Sequence, residues 1–318
     1  MKDSIFREYD IRGIAAEDLT DEVAFHVGAA VATRLRREGA TRLCLGRDVR
    51  ESSPRLHAKV AEGIRGTGVG VIDVGVVPTP ALYYSIVDRN AGGGVMITGS
   101  HNPIEYNGFK ICRGTSPIWG EEIRAIRDQI RARDFEQGEG ALEAFDVLPV
   151  YRKMVAGRFA TERGLKVVVD AGKGTGGLVG PDILRDLGHD VRCLYCEPDG
   201  RFPNHLPDPT VAKYVVDLQA MVIREGADLG VGFDGDSDRI GLIDEQGKMV
   251  YGDQLLALYA RELLERKPGV KILFDVKCSQ GLEEDIRAHG GTPVMWKTGH
   301  SLLKAKMKAD SIPLAGEM

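Results

Sequence analysis

Gly94-Val95-Met96-Ile97-Thr98-Gly99-Ser100-His101-Asn102-Pro103 is a short apolar run that empties into a tight polar turn. An apolar run this short, closed by turn residues, predicts a buried strand with Ser100 just beyond its end. The chain repeats the device twice. Gly230-Val231-Gly232-Phe233 runs into Asp234-Gly235-Asp236-Ser237-Asp238-Arg239, and Val294-Met295-Trp296 runs into Lys297-Thr298-Gly299-His300-Ser301. A hydroxyl, a carboxylate triplet and an imidazole, each at a strand mouth, supply the nucleophile, metal and proton handling that phosphoryl transfer requires.

Outward from these runs, strands alternate with helical patterns almost throughout, the signature of α/β domains. Thr20-Asp21-Glu22 opens a helix, with Val23, Val27, Val31 and Leu35 at helical spacing and Gly39 closing it. Ser53-Pro54 is a second start signal, and residues 43–45 and 69–74 read as strands. The acidic, glycine-bearing stretch 134–146 marks a domain boundary. A second unit follows, with a helix around Tyr151, a strand over 166–171 and a helix over 211–225. After the turn Asp244-Glu245-Gln246-Gly247, a third unit has a helix over 253–266 and a strand over 272–276, and no obvious element finishes its sheet. The expected fold class is α/β: three consecutive mixed α/β domains of similar topology, at 1–145, 146–248 and 249–318.

The 318 residues are too many for one ordinary core. With 43% hydrophobic and 28% charged residues the chain reads as soluble and globular. A net charge of -5 without a basic stripe excludes a nucleic-acid role. No apolar stretch is long enough to span a bilayer, and residues 1–12 lack the apolar middle of a secretory signal. Five scattered cysteines favour a reducing cytoplasm. Cys193 and Cys196, spaced as a pair, fall on a predicted strand, where three-residue spacing sends the thiols to opposite faces.

Asp234, Asp236 and Asp238 converge hard oxygen ligands on one small cation, suiting Mg²⁺ or Ca²⁺. An EF-hand fails on context, because Arg239 stands where glycine is required and strands flank the loop. A solvated acidic turn is the alternative, opposed by mutual repulsion of three carboxylates. Ser100 needs a base or a metal-neutralised electrophile to react. His101 is adjacent, although chain neighbours rarely face one another, and Lys110 adds a nearby cation. The glycine-rich run Asp170–Gly177 fails as a phosphate loop because Gly174 follows Lys173; it reads as a tight turn, as does Gly66–Gly70.

The ordered set Phe6-Arg7-Glu8-Tyr9-Asp10-Ile11-Arg12-Gly13, Thr98–Pro103, Asn107-Gly108-Phe109-Lys110, Asp234–Arg239, Val276-Lys277-Cys278-Ser279, Thr298–Ser301 and Gly316-Glu317-Met318 spans the chain. Together these motifs resemble the α-D-phosphohexomutases, in their bacterial phosphomannomutase/phosphoglucomutase branch. The resemblance implies four domains, of which this sequence holds two and part of a third, and hence impaired turnover for this polypeptide. It implies interconversion of hexose 6-phosphate and hexose 1-phosphate, with mannose and glucose both open, through a glucose 1,6-bisphosphate type of intermediate. Ser100 would be the phosphoserine and a ligand of Mg²⁺ beside Asp234, Asp236 and Asp238. His101, Lys110, His300 and Arg12 would serve catalysis, and Tyr9, Arg239, Lys277 and Glu317 would bind the sugar phosphate. Lys173 departs from the Asn expected in the family's glycine-rich turn. Two further readings stand beside this one: an aspartyl phosphotransferase with Asp234 as nucleophile and Asp236 as acid, and a non-catalytic sugar-phosphate-binding fragment.

Overall fold

The computed structural model describes all of residues 1–318, which form two compact units, Met1–Lys248 and Met249–Met318. The first holds two sheets. β1 (Ile11–Ile14), α1 (Asp21–Arg37), β2 (Arg42–Arg47), α2 (Ser53–Arg65), β3 (Gly70–Val76) and α3 (Thr79–Asp88) open it. β4 (Gly93–Ile97), β5 (Tyr106–Arg113), β6 (Ser116–Pro117), α4 (Glu121–Ala132) and β7 (Leu142–Ala144) complete the first sheet, ordered β1-β5-β4-β2-β3-β7 with β6 on β5. α5 (Leu148–Ala156), β8 (Lys166–Asp170), α6 (Gly180–Asp186), β9 (Asp190–Leu194), α7 (Val216–Glu225), β10 (Leu229–Phe233) and β11 (Ile240–Asp244) follow, their sheet ordered β11-β10-β8-β9.

Local chemistry sets these elements. At α1 the Thr20 hydroxyl accepts the Val23 N–H at 3.3 Å, and Asp21 and Glu22 complement the helix dipole in the first turn. Every residue of β4 is buried, because helices cover both faces of its sheet: residues of α1, α2 and α4 build one core and residues of α3, with Tyr151 of α5, the other. No helix is long and apolar enough to cross a membrane.

The second unit contains β12 (Met249–Val250), α8 (Gly252–Arg266), β13 (Lys271–Asp275), α9 (Gln280–Ala288), β14 (Thr292–Trp296), α10 (His300–Asp310) and β15 (Leu314–Gly316). Its parallel sheet runs β14-β13-β15. The expected similarity of topology is visible strand by strand. In the first sheet β2 lies between β3 and β4, all parallel, and β5 returns antiparallel. In the second β8 lies between β9 and β10, all parallel, and β11 returns antiparallel. In the third β13 lies between β14 and β15.

This repeat brings out two features the sequence reading did not foresee. The third sheet includes β15, a strand of three small or aliphatic residues too short to show a period. And the strand equivalent to β4 and β10 is β15, so Glu317 follows it as Ser100 and Asp234 follow theirs, while His300 lies beyond β14. Two local departures are smaller. The helix expected over 211–225 begins with a 3₁₀ turn, Ala212–Tyr214, and is α-helical only from Val216. The stretch read as a boundary contributes β7 to the edge of the first sheet.

Candidate active site

β4 ends beneath Thr98, Gly99 and Ser100, and β10 ends beneath Asp234. The two loops meet so closely that a Cβ on Gly235 would lie 2.5 Å from the Ser100 carbonyl oxygen, which only glycine permits. Ser100 is buried, with φ of +49°. That left-handed backbone turns its side chain toward both neighbours. The Ser100 hydroxyl donates to Asp234 Oδ2 at 2.6 Å and lies 3.2 Å from His101 Nδ1. The expectation that Ser100 and His101 would not face one another is therefore corrected. It assumed ordinary backbone geometry, which a left-handed residue abandons.

The three aspartates gather as expected from their spacing. One carboxylate oxygen from each of Asp234, Asp236 and Asp238 lies within 4.8 Å of the others. Asp234 Oδ1 accepts the N–H groups of Asp238 and Arg239 at 3.0 and 3.1 Å. Asp236 is gripped from the first sheet: Thr79, the first residue of α3, donates its hydroxyl to Oδ2 at 2.6 Å and its N–H to the Asp236 carbonyl at 2.8 Å. Lys110 on β5 donates to Asp236 Oδ2 at 2.6 Å and to Asp238 Oδ2 at 2.5 Å.

Electrostatics follow from this crowding. Burial, then repulsion from Asp236 and Asp238, raises the Asp234 carboxyl well above the usual carboxylate range. Burial opposes ionisation of Asp236 too, but Lys110 outweighs it and holds that carboxyl below its usual range. Burial, followed by the charge of Arg239, depresses His101 to about 4, so its imidazole is neutral at pH 7. The donor set fits a small hard dication: every ligand atom is oxygen, and Asp236 Oδ1 is buried without a hydrogen-bond partner.

Arg12 on β1 reaches the same turn, its Nη1 donating to Asn102 Oδ1 at 2.9 Å while Nε donates to Asp10 at 3.1 Å. Tyr9 is half-buried in the segment before β1, and Arg239 is exposed at the end of the aspartate loop. In the second unit Lys277, His300 and Glu317 stand together beyond the C-terminal ends of its parallel strands, where open α/β sheets bind ligands. Asp275, wholly buried at the end of β13, organises them. It accepts the Thr298 hydroxyl at 2.9 Å and the Met318 N–H at 3.3 Å, and Lys277 Nζ lies 3.6 Å away. Glu317 Oε1 accepts the Gly299 N–H at 2.7 Å.

Residues 3–137, 149–247 and 251–318 match family models described as phosphoglucomutase/phosphomannomutase alpha/beta/alpha domains I, II and III. The chain belongs to the phosphoglucomutase/phosphomannomutase family. It is 46% identical to a phosphomannomutase/phosphoglucomutase of Pseudomonas aeruginosa over 99% of this chain and 68% of that protein. A phosphoglucomutase of Neisseria meningitidis is 41% identical over 99% of the chain and 69% of its own length. Among solved structures, a phosphoglucomutase/phosphomannomutase family protein of Burkholderia thailandensis superposes with a TM-score of 0.96 at 40% identity, covering 100% of this chain and 71% of that one.

In this family member the sequence reading missed Thr79, Asp48, Arg50 and Asp275. Each is a buried polar or charged side chain holding a loop that carries a site residue. The signal for two of them was present: Arg47-Asp48-Val49-Arg50 sets three charges directly after an apolar strand. The opposite-face reading of Cys193 and Cys196 is also corrected. β9 stops at Leu194 and Tyr195 is left-handed at φ +50°, so the two thiols are neighbours; burial and Cys193 push the Cys196 thiol up to about 12.

Proposed function

We propose that this chain carries the phosphoryl-transfer centre of a hexose phosphate mutase, Ser100 being the residue that takes and returns the phosphoryl group. The observation supporting this most directly is the 2.6 Å hydrogen bond from the Ser100 hydroxyl to Asp234, inside a cluster of three carboxylates. Asp234, Asp236 and Asp238, with Ser100 Oγ, would hold Mg²⁺, which when bound neutralises charge on a transferring phosphoryl group.

In this reading the polypeptide aligns and neutralises rather than forming many bonds, as phosphoryl transfer demands. Ser100 Oγ attacks phosphorus on a hexose 1,6-bisphosphate, and the sugar hydroxyl leaves. The reverse step, from phosphorylated Ser100 to the free hydroxyl of a hexose monophosphate, makes that bisphosphate. It turns over between the two transfers, so that Ser100 takes back the opposite phosphoryl group. His101, neutral and 3.2 Å from Oγ, stands where a proton acceptor is needed. Lys110 and His300 are the further proton-transfer candidates. Arg12, Tyr9, Arg239 and Lys277 bind phosphate and sugar, the arginines because a guanidinium meets phosphate oxygens in pairs. Glu317 accepts sugar hydroxyls. Mannose and glucose phosphates are both proposed substrates, since both names occur among the relatives.

The test is to incubate the protein with glucose 1,6-bisphosphate and Mg²⁺ and weigh it intact. A gain of one phosphoryl group, acid-stable and mapped to Ser100, is expected. A hydroxylamine-labile phosphate on Asp234 would instead support the aspartyl mechanism. Asp234 is poorly suited to that, because both its oxygens already accept hydrogen bonds from the protein. Bisphosphate binding without any uptake would support the non-catalytic reading.

A further inference from the structure

Arg50 is among the largest wholly buried side chains, and a buried guanidinium is costly unless its donors are met. Its two terminal nitrogens are met by one turn, while Nε is buried without a hydrogen-bond partner. Nη2 donates to the carbonyl oxygens of Ser100 and Asn102 at 2.9 and 2.6 Å, and Nη1 to those of Pro103 and Tyr106 at 2.7 and 3.0 Å. Asp48 completes the clamp. Its Oδ2 lies 3.4 Å from Arg50 Nε and accepts the Gly99 N–H at 3.0 Å, and its Oδ1 accepts the Ser53 hydroxyl at 2.5 Å. Residues 99, 100, 102, 103 and 106 are thus tied to one Asp–Arg pair on the loop after β2.

The other side of the guanidinium is closed by the segment that follows β9. The Phe202 ring centroid is 5.3 Å from the guanidinium carbon, and Phe202 is itself buried. Gly200 packs so tightly on this loop that a Cβ there would lie 2.2 Å from the Val49 carbonyl oxygen. An aromatic face accepts the cation yet offers no oxygen to draw donors away from the turn.

From this arrangement we infer that Arg50 is a positioning residue for the Ser100 hydroxyl, and that Phe202 seals it in place from the second sheet's side. The inference rests on the reading of Ser100 as phosphoryl acceptor. Its logic is strain: a non-glycine residue at φ +49° persists only where its surroundings over-determine it. Four carbonyls held by one planar fork do this for Ser100. A lysine keeps the charge but has a single nitrogen, which cannot span four carbonyls in two pairs.

The experiment compares Arg50→Lys and Phe202→Ala with the unaltered protein, reading the rate of phosphoryl uptake at Ser100 from glucose 1,6-bisphosphate and amide exchange over residues 99–107. Displacing a reacting group by about 1 Å costs on the order of 100-fold in rate, so R50K should slow saturated uptake by about that factor. Its half-saturating bisphosphate concentration should barely move, and exchange should quicken over 99–107 but not in α1 or β8. F202A should shift both readouts in the same direction by less. Unaltered uptake and exchange in R50K overturn the inference; if R50K fails to fold, unaltered values in F202A do so. A wild-type protein that takes no phosphate at Ser100 sinks the Ser100 reading instead, and the exchange data then decide the role of Arg50 alone.

Discussion

Lys110 and Asp236 form a buried ion pair, Nζ to Oδ2 at 2.6 Å, that crosses from the first sheet to the aspartate loop of the second. Burial pulls the ammonium down, but Asp236 and then Asp238 outweigh it and hold Lys110 well above its usual range. Lysine and a dication would therefore draw on the same oxygens. Lys110→Met leaves Asp236 without its counter-charge, and breaking one side of a buried pair costs about 3–5 kcal/mol. The loss is expected in EDTA and largely recovered in Mg²⁺, followed as the apparent melting temperature. Equal losses in both buffers would show that cation and ammonium do not share these carboxylates.

Ser100 holds a strained backbone at φ +49°. Left-handed backbone costs an L-residue about 1–2 kcal/mol, and glycine is exempt. Ser100→Gly and Ser100→Ala both remove the hydroxyl and its bond to Asp234, so both should take no phosphoryl group. Only the glycine variant escapes the backbone cost, and in urea it should exceed the alanine variant by about 1 kcal/mol. Equal stabilities would mean that the turn relaxes once the hydroxyl is gone.

How much of this was legible beforehand depends on the range of the interaction. The strand before Ser100, the cap at Thr20 and the carboxylate triplet rest on contacts within a few residues, and periodicity or spacing carries them. The pairing of Ser100 with Asp234 spans 134 positions and became readable only through an ordered set of motifs. The equivalence of β15 with β4 and β10 was hidden because three residues cannot show a period. Arg50 and Thr79 were missed for another reason: a charged or hydroxyl side chain after a strand looks solvated unless the partner loop is known. His101 was misjudged because no sequence pattern announces a left-handed serine.

Lys173 gives a test of backbone chemistry away from the reacting groups. It sits at φ +64°, a conformation in which asparagine is tolerated far better than lysine. Its main chain is fully used, the N–H donating to the Tyr195 carbonyl at 2.8 Å and the carbonyl accepting the Asp199 N–H at 2.9 Å. Lys173→Asn keeps both bonds and eases the strain. We expect a gain of about 0.5–1 kcal/mol in urea unfolding, with Lys173→Ala giving none. A destabilised asparagine variant would mean that the lysine side chain contributes more than its backbone costs.

The pH dependence of stability should carry a signature from His205. Its Nε2 lies 3.1 Å from Asp170 Oδ2 and its Nδ1 lies 2.9 Å from the Leu206 carbonyl oxygen, so the imidazolium can donate at both ends. Burial disfavours the charged ring, but the bonds to Asp170 and Leu206 outweigh it and raise the pKa above 6.5. A group whose pKa is raised on folding stabilises the protein fully below its unfolded pKa, and that contribution is lost as pH rises through the folded value. Replacing His205 with Gln removes the titration. The stability difference between wild type and H205Q should be about 1–2 kcal/mol at pH 6, the size of a charge-assisted hydrogen bond, and should shrink steadily toward pH 9. Urea titrations at four or five pH values measure it. A difference that stays flat or widens with pH would mean that the ring is neutral in the folded protein and that Asp170 holds it through an uncharged N–H.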